Sequence, residues 1–211
     1  AATTYSAATQ VAELVSARYA DHARHIMKVS YNLGADTSLM HFGLAHGVRT
    51  QADALVAEKK ALVGDFGLNA NELEFIDGSG DGETRASNRA VVGLLTAMTK
   101  RPVAADYLAT FPLLGVDGSL QLVSNFTADP TLAGARGQVM AKTGTFVDSA
   151  STATRLLIRA EAFAGYIHTK GGRTLVYQLV VNDMEAVPGF PQLVDVIQDL
   201  GVISAVIWRD N

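Results

Sequence analysis

The chain has 211 residues, 48% hydrophobic and 18% charged, with a mean hydropathy of +0.17, enough apolar material for one large domain or two small ones and too much for a mainly disordered chain. A net charge of −4 argues against the basic surface that a strong non-specific hold on nucleic acid requires. With no cysteine, disulfides, thiolate catalysis and Cys-ligated zinc or iron–sulfur centres are excluded as well.

In chain order, Ala1-Ala2-Thr3-Thr4 reads as a loop or a processed end, with no basic segment leading into an apolar one as an export signal would have. No apolar run approaches the ~18–20 residues that span a bilayer. From about Ser6 to Met27, Val11, Leu14, Val15, Ala23 and Ile26 recur near the 3.6-residue period and predict a helix. Leu33–Ala45 is a second helical stretch. Thr50 reads as the N-cap of a third over Gln51–Val63, stopped by Gly64 and Gly67. Leu73–Ile76 predicts a short strand running into the polar, Gly-rich turn Asp77–Thr84. Ser87 caps a helix to Thr99, and Pro102 opens another to Thr110. Phe111–Asp117 and Ala128–Gly137 read as loops. Gly137–Thr145 predicts a strand, and Ala162–His168 and Arg173–Asn182 form a hairpin across Thr169-Lys170-Gly171-Gly172. Pro191–Leu200 reads as a helix, followed by the separate apolar segment Val202–Trp208. Helices first, then antiparallel strands, then a helix give an α+β pattern with no βαβ alternation.

The polar constellations differ in specificity. The five histidines lack the His-Glu-x-x-His spacing and read as surface or core-edge residues. Asp77-Gly78-Ser79-Gly80-Asp81-Gly82 imitates the opening of a calcium loop. Its twelfth position is Asn88 in place of the bidentate Glu, and a strand precedes it. No G-x-G-x-x-G is present, so a dinucleotide loop fails too. Ser30 and Asn32 lie two apart at a helix junction, a spacing that serves simple capping or turns both side chains into one cleft. Lys142-Thr143-Gly144-Thr145 sits on a predicted strand. Lys supplies a cation, Thr a hydroxyl, and Gly a close approach to backbone N–H groups. Ser-x-Asn followed by Lys-Thr-Gly is more specific than either part, because penicillin-recognising serine enzymes use both elements.

Ordered blocks extend this pair. Ser30-Tyr31-Asn32-Leu33-Gly34-Ala35-Asp36-Thr37, Ile76-Asp77-Gly78-Ser79-Gly80, Pro112-Leu113-Leu114-Gly115-Val116-Asp117-Gly118-Ser119-Leu120 and Ala141-Lys142-Thr143-Gly144-Thr145 are followed by Phe163-Ala164-Gly165-Tyr166-Ile167. Together, from Ser30 to Asn182, they resemble the C-terminal half of the D-alanyl-D-alanine carboxypeptidase/endopeptidases of the S13 peptidase family, the class C low-molecular-mass penicillin-binding proteins. The resemblance implies the C-terminal part of a transpeptidase-like fold shared with serine β-lactamases, an antiparallel sheet flanked by helices, spanning 1–211. It makes Asp77–Gly80 a structural turn beside the cleft.

The resemblance also implies acyl transfer on peptidoglycan stem peptides ending in D-Ala-D-Ala, acylation by β-lactams, and residence in a bacterial cell envelope. Ser30, Asn32 and Lys142 would be catalytic. Thr143, Gly144 and Thr145 would bind substrate, and neither metal nor organic cofactor is called for. The family's nucleophile lies in an upstream Ser-x-x-Lys, and no serine here has Lys three residues on. The expected partner is therefore an N-terminal fragment that carries it. A domain without the nucleophile that only binds peptidoglycan or a partner protein is the alternative; a serine β-lactamase or esterase fits the Asp-Gly-Ser-Gly and Pro-Leu-Leu-Gly blocks less well. After Gly80 the family usually continues Leu-Ser-Arg, whereas this chain has Asp81-Gly82-Glu83-Thr84-Arg85. Residues 147–160 read as an inserted excursion, made positive by Arg155 and Arg159, that covers the cleft, contacts a partner or is merely a tolerated loop.

Overall fold

The computed structural model describes residue 8, residues 10–82 and residues 84–211. The opening Ala1–Thr4 segment, the predicted helix start at Ser6 and the loop residue Glu83 lie outside the described residues. The first helix, α1, runs Tyr19–Val29, far shorter than its apolar period predicts. Over residues 10–18 the backbone is irregular, and Val11, Leu14 and Val15 are almost wholly exposed. A helix draws most of its stability from packing its apolar face, and among the described residues that stretch packs on nothing.

The helical layer continues with α2, Asn32–Ala45, and α3, Gln51–Gly64, which packs beside it. Thr50 caps α3 as expected, its hydroxyl accepting from the Asp53 N–H at 3.1 Å. The strand expected at Leu73–Ile76 shrinks to β1, Leu73–Glu74, paired antiparallel with β2, Arg85–Ala86. The Ser87 hydroxyl accepts from the Ala90 N–H to cap α4, Asn88–Met98. The short α5 spans Ala104–Leu108, two residues later than Pro102 suggested, because Arg101–Val103 form a turn first.

The last third forms one antiparallel sheet in the order β3-β4-β5: Val139–Val147, Leu156–His168 and Thr174–Ala186. The turn at Thr169–Gly172 stands where expected, but both hairpin strands are longer than their apolar runs alone indicated. Of residues 147–160, Val147 ends β3 and pairs with Ile158, and Leu156–Ala160 already belong to β4. The connection proper is 148–155. The two arginines of 147–160 are ion-paired along the hairpin: Arg155 with Glu185 at 2.7 Å, and Arg159 with Asp148 at 2.9 Å and Asp183 at 3.0 Å.

The two expected C-terminal segments are a single helix, α6, Phe190–Asp210. Gly201 does not stop it; a Cβ there would collide with Val123, so glycine lets the helix lie close on the loop below. Its most apolar 18-residue stretch has a mean hydropathy of 1.4, enough by length and composition alone to cross a membrane, although Asp195 and Asp199 interrupt its apolar run. In the fold, Leu193, Leu200, Ser204 and Ala205 are buried against the sheet. The Gln198 carboxamide bonds Ser124 N–H, Asn125 N–H and Leu122 C=O.

The sheet is thus covered on both faces. Val139, Ala141, Phe163 and Ile167 join Leu114, Leu120, Phe126 and α6 in the main core. Met140 and Tyr166 face the other way, onto Leu95 and Phe111, and the Tyr166 hydroxyl donates to Leu95 C=O at 2.7 Å.

Candidate active site

β3 is an edge strand. Ala141 N–H bonds Pro112 C=O and Val139 C=O accepts from Leu114 N–H, both on the side away from β4. By strand alternation, the N–H groups of Thr143 and Thr145 lie on that same open edge. A Cβ on Gly144 would meet no atom within 4 Å, so no packing in this chain requires glycine there.

Ser30 ends α1 with φ 55 and ψ 52, a left-handed conformation unusual for serine. Such strain clusters at functional sites. It aims the hydroxyl at β3, where it accepts from Lys142 Nζ at 2.7 Å across 112 residues of sequence. Lys142 Nζ also donates to Thr143 C=O at 2.5 Å. Thr143 Oγ1 donates to Ser119 Oγ at 2.8 Å. Asn32 is the first residue of α2 and its side chain is exposed on the same junction. The structure therefore brings Ser30 and Lys142 into contact, with Thr143, Gly144 and Thr145 following along the edge.

Electrostatics distinguish Lys142 from a surface lysine. Burial pushes its ammonium down to about 8, and the nearby Glu161 carboxyl partly offsets that. Glu161 itself is pushed up to about 7 by burial, with Thr145 and Lys142 pulling the other way.

Two polar ties hold the Ser30 junction. Lys28 Nζ donates to Asp117 Oδ1 at 2.7 Å, to Asp117 Oδ2 at 2.6 Å and to Phe111 C=O at 2.6 Å. Asp36 Oδ1 accepts from Gly78 N–H at 3.0 Å, where a side chain on Gly78 would strike Ala35 C=O. Asp77, the first residue of the calcium-like loop, spends its carboxylate on Ser79, Gly80 and Asp81 N–H of its own turn. All five histidines are exposed. Along the Lys142 face of the sheet, a cleft of about 820 Å³ runs between Phe146, Ala162 and Gln178 and the 80–88 segment.

Sequence reasoning missed Lys28, Asp117 and Glu161. Asp117 stands inside the Pro112–Leu120 block, but its partner Lys28 lies 89 residues away and belongs to no block. Glu161 did leave a signal, a lone carboxylate inside the apolar run Ala160–Ile167.

The profile of the D-Ala-D-Ala carboxypeptidase 3 (S13) family matches residues 1–197. No curated protein matches the sequence. Among solved structures, penicillin-binding protein 4 of Haemophilus influenzae superposes with a TM-score of 0.64 at 21% identity, over 85% of this chain and 38% of that one. The penicillin G-acylated predatory endopeptidase Bd3459 of Bdellovibrio bacteriovorus, solved with its immunity protein, superposes with a TM-score of 0.66 at 16% identity, over 92% and 46%. A second Bdellovibrio predatory endopeptidase, Bd0816, gives 0.56 at 19%, over 90% and 41%. At these identities the likeness is one of fold. The chain spans less than half the length of each of these structures.

Proposed function

Because the chain belongs to the D-Ala-D-Ala carboxypeptidase 3 (S13) family, we propose that it is the C-terminal part of a serine D,D-carboxypeptidase/endopeptidase of the bacterial cell envelope. It supplies the Ser-x-Asn and Lys-Thr-Gly sides of the site to a nucleophile carried upstream. The observation that carries this reading is the 2.7 Å bond from Lys142 Nζ to a left-handed Ser30.

The reaction is acyl transfer. An upstream serine attacks the penultimate D-Ala carbonyl, the leaving amine departs, and water hydrolyses the acyl-enzyme. The Ser30 hydroxyl relays a proton to the leaving amine, with Lys142 next in the relay. Lys142 keeps the pocket positive for a terminal carboxylate, which Thr143 Oγ1 binds in exchange for Ser119. The Asn32 carboxamide bonds the peptide amide. The Thr145 N–H on the open edge contributes half of an oxyanion hole. Exposed apolar residues on the helical side, among them Leu14, Val15 and Leu33, are where the upstream polypeptide packs.

One observation favours a second reading, a domain that binds stem peptides without cleaving them: no serine in the chain has Lys at the third residue on. Denaturing mass spectrometry of the natural protein after benzylpenicillin decides between them. The enzyme acquires one covalent adduct on its upstream polypeptide, and Lys142→Ala slows that acylation at least ~100-fold. Absence of any adduct favours the binding domain, and an unchanged rate in the variant removes Lys142 from the mechanism.

A further inference from the structure

Glu161 has no exposed surface. It sits on β4 directly opposite Thr145, and its other cross-strand neighbour, on β5, is Val181. Its Oε2 accepts from Thr145 Oγ1 at 2.6 Å, while Oε1 is buried without any hydrogen-bond partner. A β-branched apolar residue would suit this position better on both packing and desolvation grounds. A buried oxygen left unpaired on the strand beside the site needs a reason. The charges around Glu161 supply one. Through the edge strand, the Lys142 ammonium favours the ionised Glu161 carboxyl, and the carboxylate in turn favours the ammonium. Thr145 on β3 is the polar group facing it, and Val181 on β5 brings no charge.

We propose that Glu161 is a positioning residue of the Ser30–Lys142 site: from behind the edge strand its carboxylate anchors Thr145 and serves as the buried counter-charge that keeps Lys142 an ammonium. Its consequence for catalysis rests on the reading of Lys142 and Thr145 given above, whereas the coupling between the two charges belongs to this chain alone. Burial raises the Glu161 carboxyl to about 7 and lowers the Lys142 ammonium to about 8, so the two are charged together around neutral pH. As pH falls through the Glu161 midpoint, Lys142 loses its counter-charge. As pH rises through its own midpoint, it loses its proton.

Competitive amine labelling of this chain from about pH 6 to 10, read by peptide mass spectrometry, tests the coupling. Only the neutral amine reacts, so a lysine that surrenders its proton more easily labels faster. In Glu161→Gln the shape is kept and the charge is gone. Lys142 then labels at least about threefold faster near pH 7.5, while the exposed Lys170 is unchanged. Glu161→Asp falls between. Identical Lys142 profiles in wild type and Glu161→Gln overturn the proposal.

A measurement without any variant guards against misfolding. The carbon NMR titration of the Glu161 carboxyl in the wild-type chain has its midpoint near 7, and a midpoint at the ordinary 4.5 overturns the proposal. The functional reading fails separately: a labelling shift in a protein that benzylpenicillin never acylates supports the coupling and removes the peptidase.

Discussion

The sheet side and the helical side of this molecule are built to different degrees of completion. On the sheet side, Ile158, Phe163, Tyr166 and Ile167 have no exposed surface, and α6 buries five residues. On the helical side, α1 buries none, α2 two and α3 one. Val11 is 100% exposed and Leu14 96%, and an open apolar groove of about 440 Å³ lies between Ile26, Leu39, Phe42, Leu62 and Phe66. The candidate site straddles the boundary. Lys142 is set by a closed core, whereas Ser30 and Asn32 belong to a layer tied down at its edges by Lys28–Asp117 and Asp36–Gly78. The contrast shows that a well-packed core orients only one half of this site, and a few polar ties orient the other.

Substitutions sharpen or break that contrast. The largest effect belongs to Phe163→Ala, which opens the closed core and lowers unfolding free energy by about 4 kcal/mol in denaturant titration. A loss under about 1 kcal/mol would show the sheet side to be loosely packed as well. Lys28→Met removes the cation beneath Ser30 and leaves Asp117 with only the Leu113 N–H among its former partners. The pair is half-buried, so the loss is about 2 kcal/mol by the same titration. No loss would mean that the Ser30 junction is held by packing after all. Leu14→Ser is the smallest, under about 0.5 kcal/mol in this chain, because the side chain touches nothing. With the proposed upstream polypeptide present and seated on Leu14, the same change would cost about 2 kcal/mol. Equal values in the two settings would break the contrast from the other side.

What could be read from the residues alone follows a physical line. Local signals were legible: the Thr50 and Ser87 caps and the Thr169–Gly172 turn each depend on residues a few positions apart. The family resemblance assigned Ser30 and Lys142 to one site, a match of motifs that required no geometry. The errors lie where packing overrides local pattern. Residues 10–18 have a helical period but no surface to bury it against. Gly201 has the chemistry of a stop, yet serves a close contact with Val123 inside one long helix. Residues 156–160 looked like an excursion because Arg159 and Glu161 interrupt the apolar run, and cross-strand pairing with β5 makes them strand. Glu161 and Lys28 escaped notice because their meaning comes from register and from a contact 89 residues away.

The contact between Lys142 and Ser30 closes a loop of 112 residues. Bringing the ends of so long a flexible segment together costs about 4 kcal/mol of chain entropy. A single hydrogen bond contributes only about 1 kcal/mol net, so it cannot form ahead of the rest. The sheet and α6 must fold, and the helices must dock, before this pair can meet. Folding order therefore governs this contact: a nascent or partly opened chain holds Ser30 and Lys142 far apart, and the pair meets only in the last step of folding.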